Sequence, residues 1–300
     1  MNSEDDMETA SRDEIIACMN EMAPESLAET WDNCGLMVGG ERGRDGRVRR
    51  VLVCLDVTEA VADEAIRVGA DLVVSHHPLV FKPLRSIVCG EGSGTAIHKL
   101  IKADVDVYSA HTNVDKTPGG LNDLVAGIVG LKLMDDGRAG DCDAAGAAPQ
   151  PQAPPQPPQP PQPYRIGDLP CVFSPDELFA HICSRLKQDD IAVVRPPQAA
   201  RGKEPSIRRL AVMCGSYGID APVLVAAKAD AVLCGEIKHH SAIELAQLGI
   251  YVAAVGHHGS ERFFMALAEK WLKDRFPSLD VVCAGFDSHP FQVYHYGRGH

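Results

Sequence analysis

The sequence predicts an α/β protein: two linked, similar α/β domains with mixed, mostly parallel sheets flanked by helices. Short β-branched apolar runs alternate with helix-like segments, polar side chains follow several runs directly, and the pattern of the first half returns in the second. The predicted boundaries are a first half over residues 1–135, a linker over residues 136–163 and a second half over residues 164–300.

The first half alternates helices and strands. Ser11 and Glu14 stand at the S-x-x-E spacing that begins a helix. The segments that follow are a strand over residues 49–56, a helix over 60–68, a strand over 72–74, a helix over 95–103 and a strand over 106–110. Alternation of this length favours neighbouring parallel strands.

The second half repeats this plan. Ser174, followed by Pro175, begins a helix. Strands are then predicted over residues 191–194 and 208–214. The runs at residues 49–54, 69–76 and 107–115 correspond in residue type to those at 208–214, 228–236 and 252–261. Two copies of one unit are therefore expected, with their strand ends facing a shared cleft.

Composition limits the classes of partner. The net charge of −12 does not favour nucleic-acid binding by a basic surface. No apolar run approaches the ~20 residues of a membrane span, and the acidic N-terminus does not resemble a signal peptide. The ten cysteines are scattered without a C-x-x-C pair, which is typical of reduced core thiols. We expect a cytoplasmic protein that binds neither nucleic acid nor membrane.

Residues 149–163 contain nine of the 21 prolines, interleaved with glutamine. Such a segment cannot bury apolar surface, so it is predicted to be an extended, disordered linker. It also has the polyproline character that proline-binding domains recognise, although a plain surface insertion is the favoured interpretation.

His76 and His77 follow the strand over residues 72–74 directly and precede Pro78. Reactive groups of open α/β sheets gather beyond the carboxyl ends of strands. The turn at a strand end allows two imidazoles to approach one centre, and neutral imidazole is the commonest metal ligand in proteins. The alternative interpretation is a pair of polar loop residues in solvent.

Three further residues follow predicted strands in the same way: Asp115, His257 and Glu261. Glu261 is expected to begin a helix. Three histidines and two carboxylates suit two divalent ions of the zinc, manganese or iron class. Two ions ~3.5–4 Å apart activate a water for hydrolysis, so the predicted nucleophile is metal-bound water rather than a side chain.

Four other residues are candidates for orienting the ligands or contacting a substrate. His111 is a plausible orienting group or spare ligand. His240 lines the cleft or belongs to a surface pair at a helix start, and the surface pair is slightly favoured. Asp32 and Asn33 contact substrate or fix a tight turn, and the sequence leaves both interpretations open.

The chain resembles the NIF-three-like dinuclear metal-centre proteins, many of which carry the name GTP cyclohydrolase 1 type 2 homologue. The stretches that carry the resemblance are WDNCGLMVG at 31–39, SHHP at 75–78, SAHTNVDKTPGGLND at 109–123, RIGDLP at 165–170, GEIKHHSA at 235–242 and GHHGSE at 256–261. The proline–glutamine segment departs from the compact form of that family.

The resemblance implies the same five metal ligands, and it implies a histidine near position 240. It further implies two linked α/β domains and a ring-like homohexamer built from dimers. Our first functional hypothesis is a metal-dependent hydrolase of a small nucleotide-like or phosphorylated substrate. The alternative is a non-catalytic metal-binding scaffold or regulatory interaction protein, and a third possibility is a single structural zinc.

Overall fold

The structure is a computed structural model that describes residues 10–40, 47–133, 161–197, 206–286 and 289–291. The strands of these ranges are β1 Ala10–Ser11, β2 Gly35–Val38, β3 Arg47–Val48, β4 Arg50–Cys54, β5 Leu72–Ser75, β6 Asp106–Ser109, β7 Arg165–Phe173, β8 Ala192–Val194, β9 Ile207–Ser216, β10 Ala231–Glu236, β11 Tyr251–Ala254 and β12 Asp280–Cys283. The helices are α1 Arg12–Met22, α2 Glu59–Val68, α3 Gly94–Ala103, α4 Thr112–Lys116, α5 Leu121–Ile128, α6 Pro175–Leu186, α7 Ala221–Ala226, α8 His239–Gln247, α9 His257–Glu261 and α10 Phe263–Arg275, with a 3-10 turn at Glu25–Leu27.

The chain divides into two compact units. The first consists of Met1–Ile16, Gly35–Ser109 and Ala268–His300, and the second of Ala17–Cys34 and Ala110–Leu267. The predicted division at residues 135 and 164 stays a prediction. Residues 136–160 of the predicted linker lie outside the described ranges.

The first unit is built on a five-stranded sheet with the order β12-β4-β5-β6-β2. The first four of these strands are parallel, and β2 is antiparallel to β6. The sequence assigned residues 280–283 to the second half, whereas β12 pairs with β4 in this sheet. The residues of a four-residue strand near the end of the chain do not indicate which strand it pairs with. Its place in the first sheet is therefore known only from the structure.

The second unit is built on a five-stranded sheet with the order β7-β9-β10-β11-β8. Strands β9, β10 and β11 are parallel, and the edge strands β7 and β8 are antiparallel to their neighbours. The predicted fold class, α/β with mixed and mostly parallel sheets, is therefore confirmed. Strand β7 was not predicted, because Gly167 and Pro170 weaken its strand pattern, and proline is tolerated at a sheet edge.

In each sheet, an aspartate carboxylate binds two consecutive backbone N–H groups near the start of a strand, β4 in the first unit and β9 in the second. The Asp71 carboxylate accepts bonds from the backbone N–H groups of Arg49 and Arg50 at 2.8 and 3.1 Å. The Asp230 carboxylate accepts the corresponding pair of bonds in the second unit at 2.9 and 2.8 Å. Each aspartate thus fixes the register of two parallel strands, which supports the internal repeat inferred from the sequence.

Both predicted helix starts are present as reciprocal caps. The Ser11 hydroxyl accepts from Glu14 N at 3.2 Å, and the Glu14 carboxylate accepts from Ser11 N at 2.8 Å. Ser174 and Glu177 form the same capping box at the start of α6. Of the helices that the structure describes, none has the length and apolar character required to cross a membrane.

Candidate metal centre

His76 and His77 lie at the carboxyl end of β5. Ser75 at the end of β5 pairs with Ser109 at the end of β6, and their hydroxyls are 2.8 Å apart in a buried hydrogen bond. His76 N donates to Cys54 O at 3.2 Å and His77 N donates to Leu55 O at 2.9 Å, so the two histidines continue beside the chain of β4 past the end of β5. His76 is fully buried, which excludes the interpretation of both histidines as solvated loop residues.

Asp56 orients the His77 ring. Its Oδ1 lies 2.7 Å from His77 Nδ1. An ionised carboxylate only accepts hydrogen bonds, so Nδ1 carries the proton and the Nε2 lone pair is directed to the other side of the ring. Asp56 was not among the predicted site residues. The sequence did contain an indication of its role, because it is the carboxylate on which the strand over residues 49–56 ends.

Asp32 holds His111 in the second unit. Its Oδ1 lies 2.8 Å from His111 Nδ1, and its Oδ2 accepts from Thr112 N at 3.1 Å. Burial acts to raise the pKa of the Asp32 carboxyl, but the bonds from His111 and Thr112 outweigh it and hold this pKa well below its usual range. Oδ1 also accepts from Asn33 N at 2.8 Å. Asp32 thus holds both the His111 ring and the backbone of this turn, and a contact of Asp32 or Asn33 with substrate stays a prediction.

The charges of Asp115 and Glu261 both act on Cys214 at the end of β9. Burial raises the pKa of the Cys214 thiol well above its usual value, and the nearby Asp115 and Glu261 carboxylates raise it further. Glu261 is 3% exposed. Two carboxylates sharing a poorly solvated region repel each other, and a cation between them would offset this repulsion.

His257 and Glu261 face each other across one turn of α9. His257 Nε2 is 3.0 Å from Glu261 Oε2, and His257 Nδ1 is 3.4 Å from Glu236 Oε1 at the end of β10. Glu236 was not predicted as a site residue. The expectation that Glu261 begins a helix was wrong, because Glu261 ends α9 and the next helix begins at Phe263.

The backbone around α9 leaves little room for a side chain. Gly215 has a φ of +66°, and a Cβ at this position would lie 2.3 Å from Glu261 Oε1. Gly215 N donates to Ser260 Oγ at 2.9 Å, and Ser260 Oγ donates to His257 O at 2.8 Å. The end of β9 therefore forms the surface against which α9 holds its two ligand candidates.

Two groups of side chains in the described part of the chain have the composition to hold a metal ion. His76, His77 and His111 form one group, and His77, His257 and Glu261 form the other. Asp115 belongs to neither group, and its proximity to Cys214 is what relates it to Glu261. Imidazole and carboxylate donors fit borderline divalent ions such as zinc, manganese or iron. The complete set of five ligands stays a prediction.

His240 lies in the first turn of α8 and is exposed. It lines an open surface groove of about 550 Å³ together with Tyr217, Lys238 and Glu244. None of the ligand candidates lines this groove, so the place of His240 in a cleft near the metals stays a prediction. The structure gives it no contact with the ligand candidates of its own unit.

A sequence model of the Duf34/NIF3 (NGG1p interacting factor 3) family matches residues 10–290. A Clostridium perfringens protein named GTP cyclohydrolase 1 type 2 homolog is 30% identical over 286 residues, covering 93% of this chain and 98% of that protein. A Halalkalibacterium halodurans protein of the same name is 44% identical over 126 residues. That match covers 42% of this chain and 33% of the relative, so it spans about a third of the relative's length.

Solved structures show the same fold. A Bacillus cereus protein related to NIF3 superposes with a TM-score of 0.78 at 24% identity, covering 96% of this chain and all (100%) of that one. Reduced HcgD from Methanocaldococcus jannaschii superposes with a TM-score of 0.70 at 28% identity, covering 93% and 99% of the two chains. These likenesses extend over nearly the whole chain.

Proposed function

Because this chain belongs to the Duf34/NIF3 family, we propose that it is a dinuclear metal-dependent hydrolase of a small nucleotide-like or phosphorylated substrate. Its relatives carry the name GTP cyclohydrolase 1 type 2 homolog. That name is compatible with the proposed chemistry, since ring opening of a purine begins with attack of an activated water on a ring carbon. The guanine specificity in the name belongs to the relatives and is not part of the proposal.

One observation carries the metal-binding part of this proposal. Three histidine rings each have a carboxylate oxygen near Nδ1: Asp56 at 2.7 Å from His77, Asp32 at 2.8 Å from His111, and Glu236 at 3.4 Å from His257. Histidines that bind metals typically donate this second ring N–H to a carboxylate, which fixes the tautomer and raises the basicity of Nε2. A carboxylate beside each of three rings is typical of metal-binding histidines and is not expected of three unrelated histidines.

In the proposed centre, some side chains would bind the metal ions and others would orient those ligands. His76, His77 and His257 would provide nitrogen ligands. Asp115 and Glu261 would provide the carboxylate ligands. Divalent ions held by these residues would supply Lewis-acid chemistry and a water whose pKa is lowered towards neutrality. Asp56, Asp32 and Glu236 hold the imidazoles in the required orientation.

We further propose a cytoplasmic homohexamer, a ring built from dimers, on the basis of the family resemblance. Size-exclusion chromatography with light scattering measures the mass of the assembly directly. Six chains of 32.2 kDa each are expected to elute as one species. A monomeric species at micromolar concentration would contradict the proposed assembly without affecting the metal centre.

The test of the enzyme proposal is a metabolite screen with protein loaded with zinc, manganese or iron. Hydrolysis of a phosphorylated or nucleotide-like compound by the wild-type protein, lost in His76→Ala, supports the proposal. Metal binding and full assembly with no turnover across the screen would instead favour the alternative function, a non-catalytic scaffold. One ion per chain, together with unfolding on chelation, would indicate a single structural zinc.

A further inference from the structure

Asn122 is a fully buried polar residue near the second-unit ligands that the proposed chemistry does not use. It lies in the first turn of α5, and its side-chain amide makes three hydrogen bonds. Nδ2 donates to Asp115 O at 3.1 Å and to Pro163 O at 3.0 Å, and Oδ1 accepts from Cys214 N at 2.7 Å. Both amide protons and one oxygen lone pair are therefore engaged.

These bonds join the two segments that carry the carboxylate ligands. On one side is the backbone of Asp115 in α4. On the other side is Cys214, whose neighbour Gly215 bonds Ser260 Oγ at 2.9 Å and leaves no room for a Cβ beside Glu261. A shift of Asn122 would therefore move the Asp115 backbone relative to the surface on which Glu261 rests.

We propose that Asn122 is a positioning residue that fixes the separation of the Asp115 and Glu261 carboxylates, and through it the spacing of two metal ions. This inference rests on the proposed dinuclear centre. A bridging carboxylate can join two ions only over a narrow range of separations, ~3.5–4 Å between the ions. A buried amide with all three bonds to backbone atoms has few alternative orientations, so it holds this separation rigidly.

The chemistry of the amide explains why asparagine is present at this position. Two carbonyl oxygens require donors and one backbone N–H requires an acceptor, and only a carboxamide of this length supplies both. An aspartate of the same shape keeps the acceptor for Cys214 N. In place of the NH₂ donor, however, it presents a carboxylate oxygen to the two carbonyls, and an ionised carboxylate cannot donate. A leucine of similar volume removes all three bonds.

The experiment compares wild-type protein with Asn122→Leu and Asn122→Asp, each titrated with Mn²⁺. Affinity is measured with a competing chelator, and ion spacing is measured by the exchange-coupled signal of an Mn²⁺ pair in electron paramagnetic resonance. Loss of a residue that holds the metal ligands in position typically weakens metal affinity about 10–100-fold. We expect a loss of this size for binding of the second ion in Asn122→Leu, a smaller loss in Asn122→Asp, and loss of the coupled signal in both.

Thr117→Val is the matched control. Thr117 is also buried, and its hydroxyl donates to Met22 O at 2.9 Å without a bond to Asp115 or Cys214. The valine variant should melt at a lower temperature yet retain the coupled signal, which separates positioning of the ligands from general stability. Circular dichroism reports whether each variant is folded, and if Asn122→Leu does not fold, Asn122→Asp decides the question.

The outcomes distinguish the two levels of the proposal. A wild-type protein that binds no Mn²⁺ pair would refute the dinuclear centre itself. A wild-type pair whose affinity and coupling are unchanged in a folded Asn122 variant would refute only the role of Asn122. Loss of coupling in the Asn122 variants and its retention in Thr117→Val would support the inference.

Discussion

Gly215→Ala tests directly whether the position of the Glu261 carboxylate controls metal binding. A Cβ at residue 215 would lie 2.3 Å from Glu261 Oε1, closer than real Cβ contacts occur. Because Glu261 is only 3% exposed, its carboxylate cannot move freely into solvent. The added methyl group is therefore expected to displace the carboxylate from the position in which it faces His257.

The backbone contributes a separate and calculable effect. Residue 215 has a φ of +66°, in the left-handed region. An L-residue there costs about 1–2 kcal/mol, and the smaller entropy of the unfolded alanine chain offsets about 0.4–1 kcal/mol of this. The net loss of about 1 kcal/mol corresponds to a melting temperature lower by about 2–4 °C for a chain of this order of size.

Gly249→Ala isolates the backbone effect. Gly249 has a φ of +80°, and no heavy atom lies within 4 Å of its added Cβ. Elemental analysis after loading and gel filtration, together with thermal melts, measures both quantities. We expect Gly249→Ala to melt earlier with unchanged metal content, and Gly215→Ala to bind at most one ion per chain. Equal metal content in the two variants would refute the argument.

Three further predictions concern the orienting carboxylate, a helix cap and the thiols. Asp56→Asn should weaken metal binding about 10–100-fold, because the His77 tautomer is no longer fixed; a chelator competition titration measures this, and unchanged affinity would contradict the orienting role. Ser174→Ala removes a capping box and should lower the free energy of unfolding by about 1 kcal/mol in a urea titration, with metal content unaffected; no change in the midpoint would count against the cap. Burial raises the pKa of the Cys234 thiol to about 12, so iodoacetamide at pH 8 should label exposed Cys89 and leave Cys234 unmodified in the native protein. Mass spectrometry distinguishes the two sites, and rapid labelling of Cys234 would show that the strand opens.

Local patterns were sufficient for much of the fold. The S-x-x-E spacing at Ser11 and the serine–proline start at Ser174 predicted helix starts that the structure contains. The apolar runs before His76 and His257 predicted β5 and β11 because a buried parallel strand is a short, continuous, β-branched segment. The repeat of these runs predicted two copies of one α/β unit, and the structure contains two five-stranded, mostly parallel sheets.

The missed elements and site residues share a physical cause. Strand β7 contains Gly167 and Pro170, so its pairing partner rather than its periodicity defines it. For β12, which is only four residues long, the sequence did not indicate its pairing with β4. Asp56 and Glu236 were missed as orienting groups because a carboxylate that holds an imidazole is recognised only by its distance from the ring. Asp56 is 21 positions from His77, and local spacing does not encode such a contact.

The sequence by itself determined which residues follow buried strands: His76, His77, His257 and, one turn further on, Asp115 and Glu261. It did so because strand and helix periodicities depend on neighbours close in the chain. Only the tertiary structure decided which of these side chains are oriented, by which carboxylates, and how Asn122 joins the Asp115 backbone to Cys214, 92 residues further along the chain. Such contacts depend on the pairing of β9 with its neighbours and the packing of α5, which local sequence does not determine.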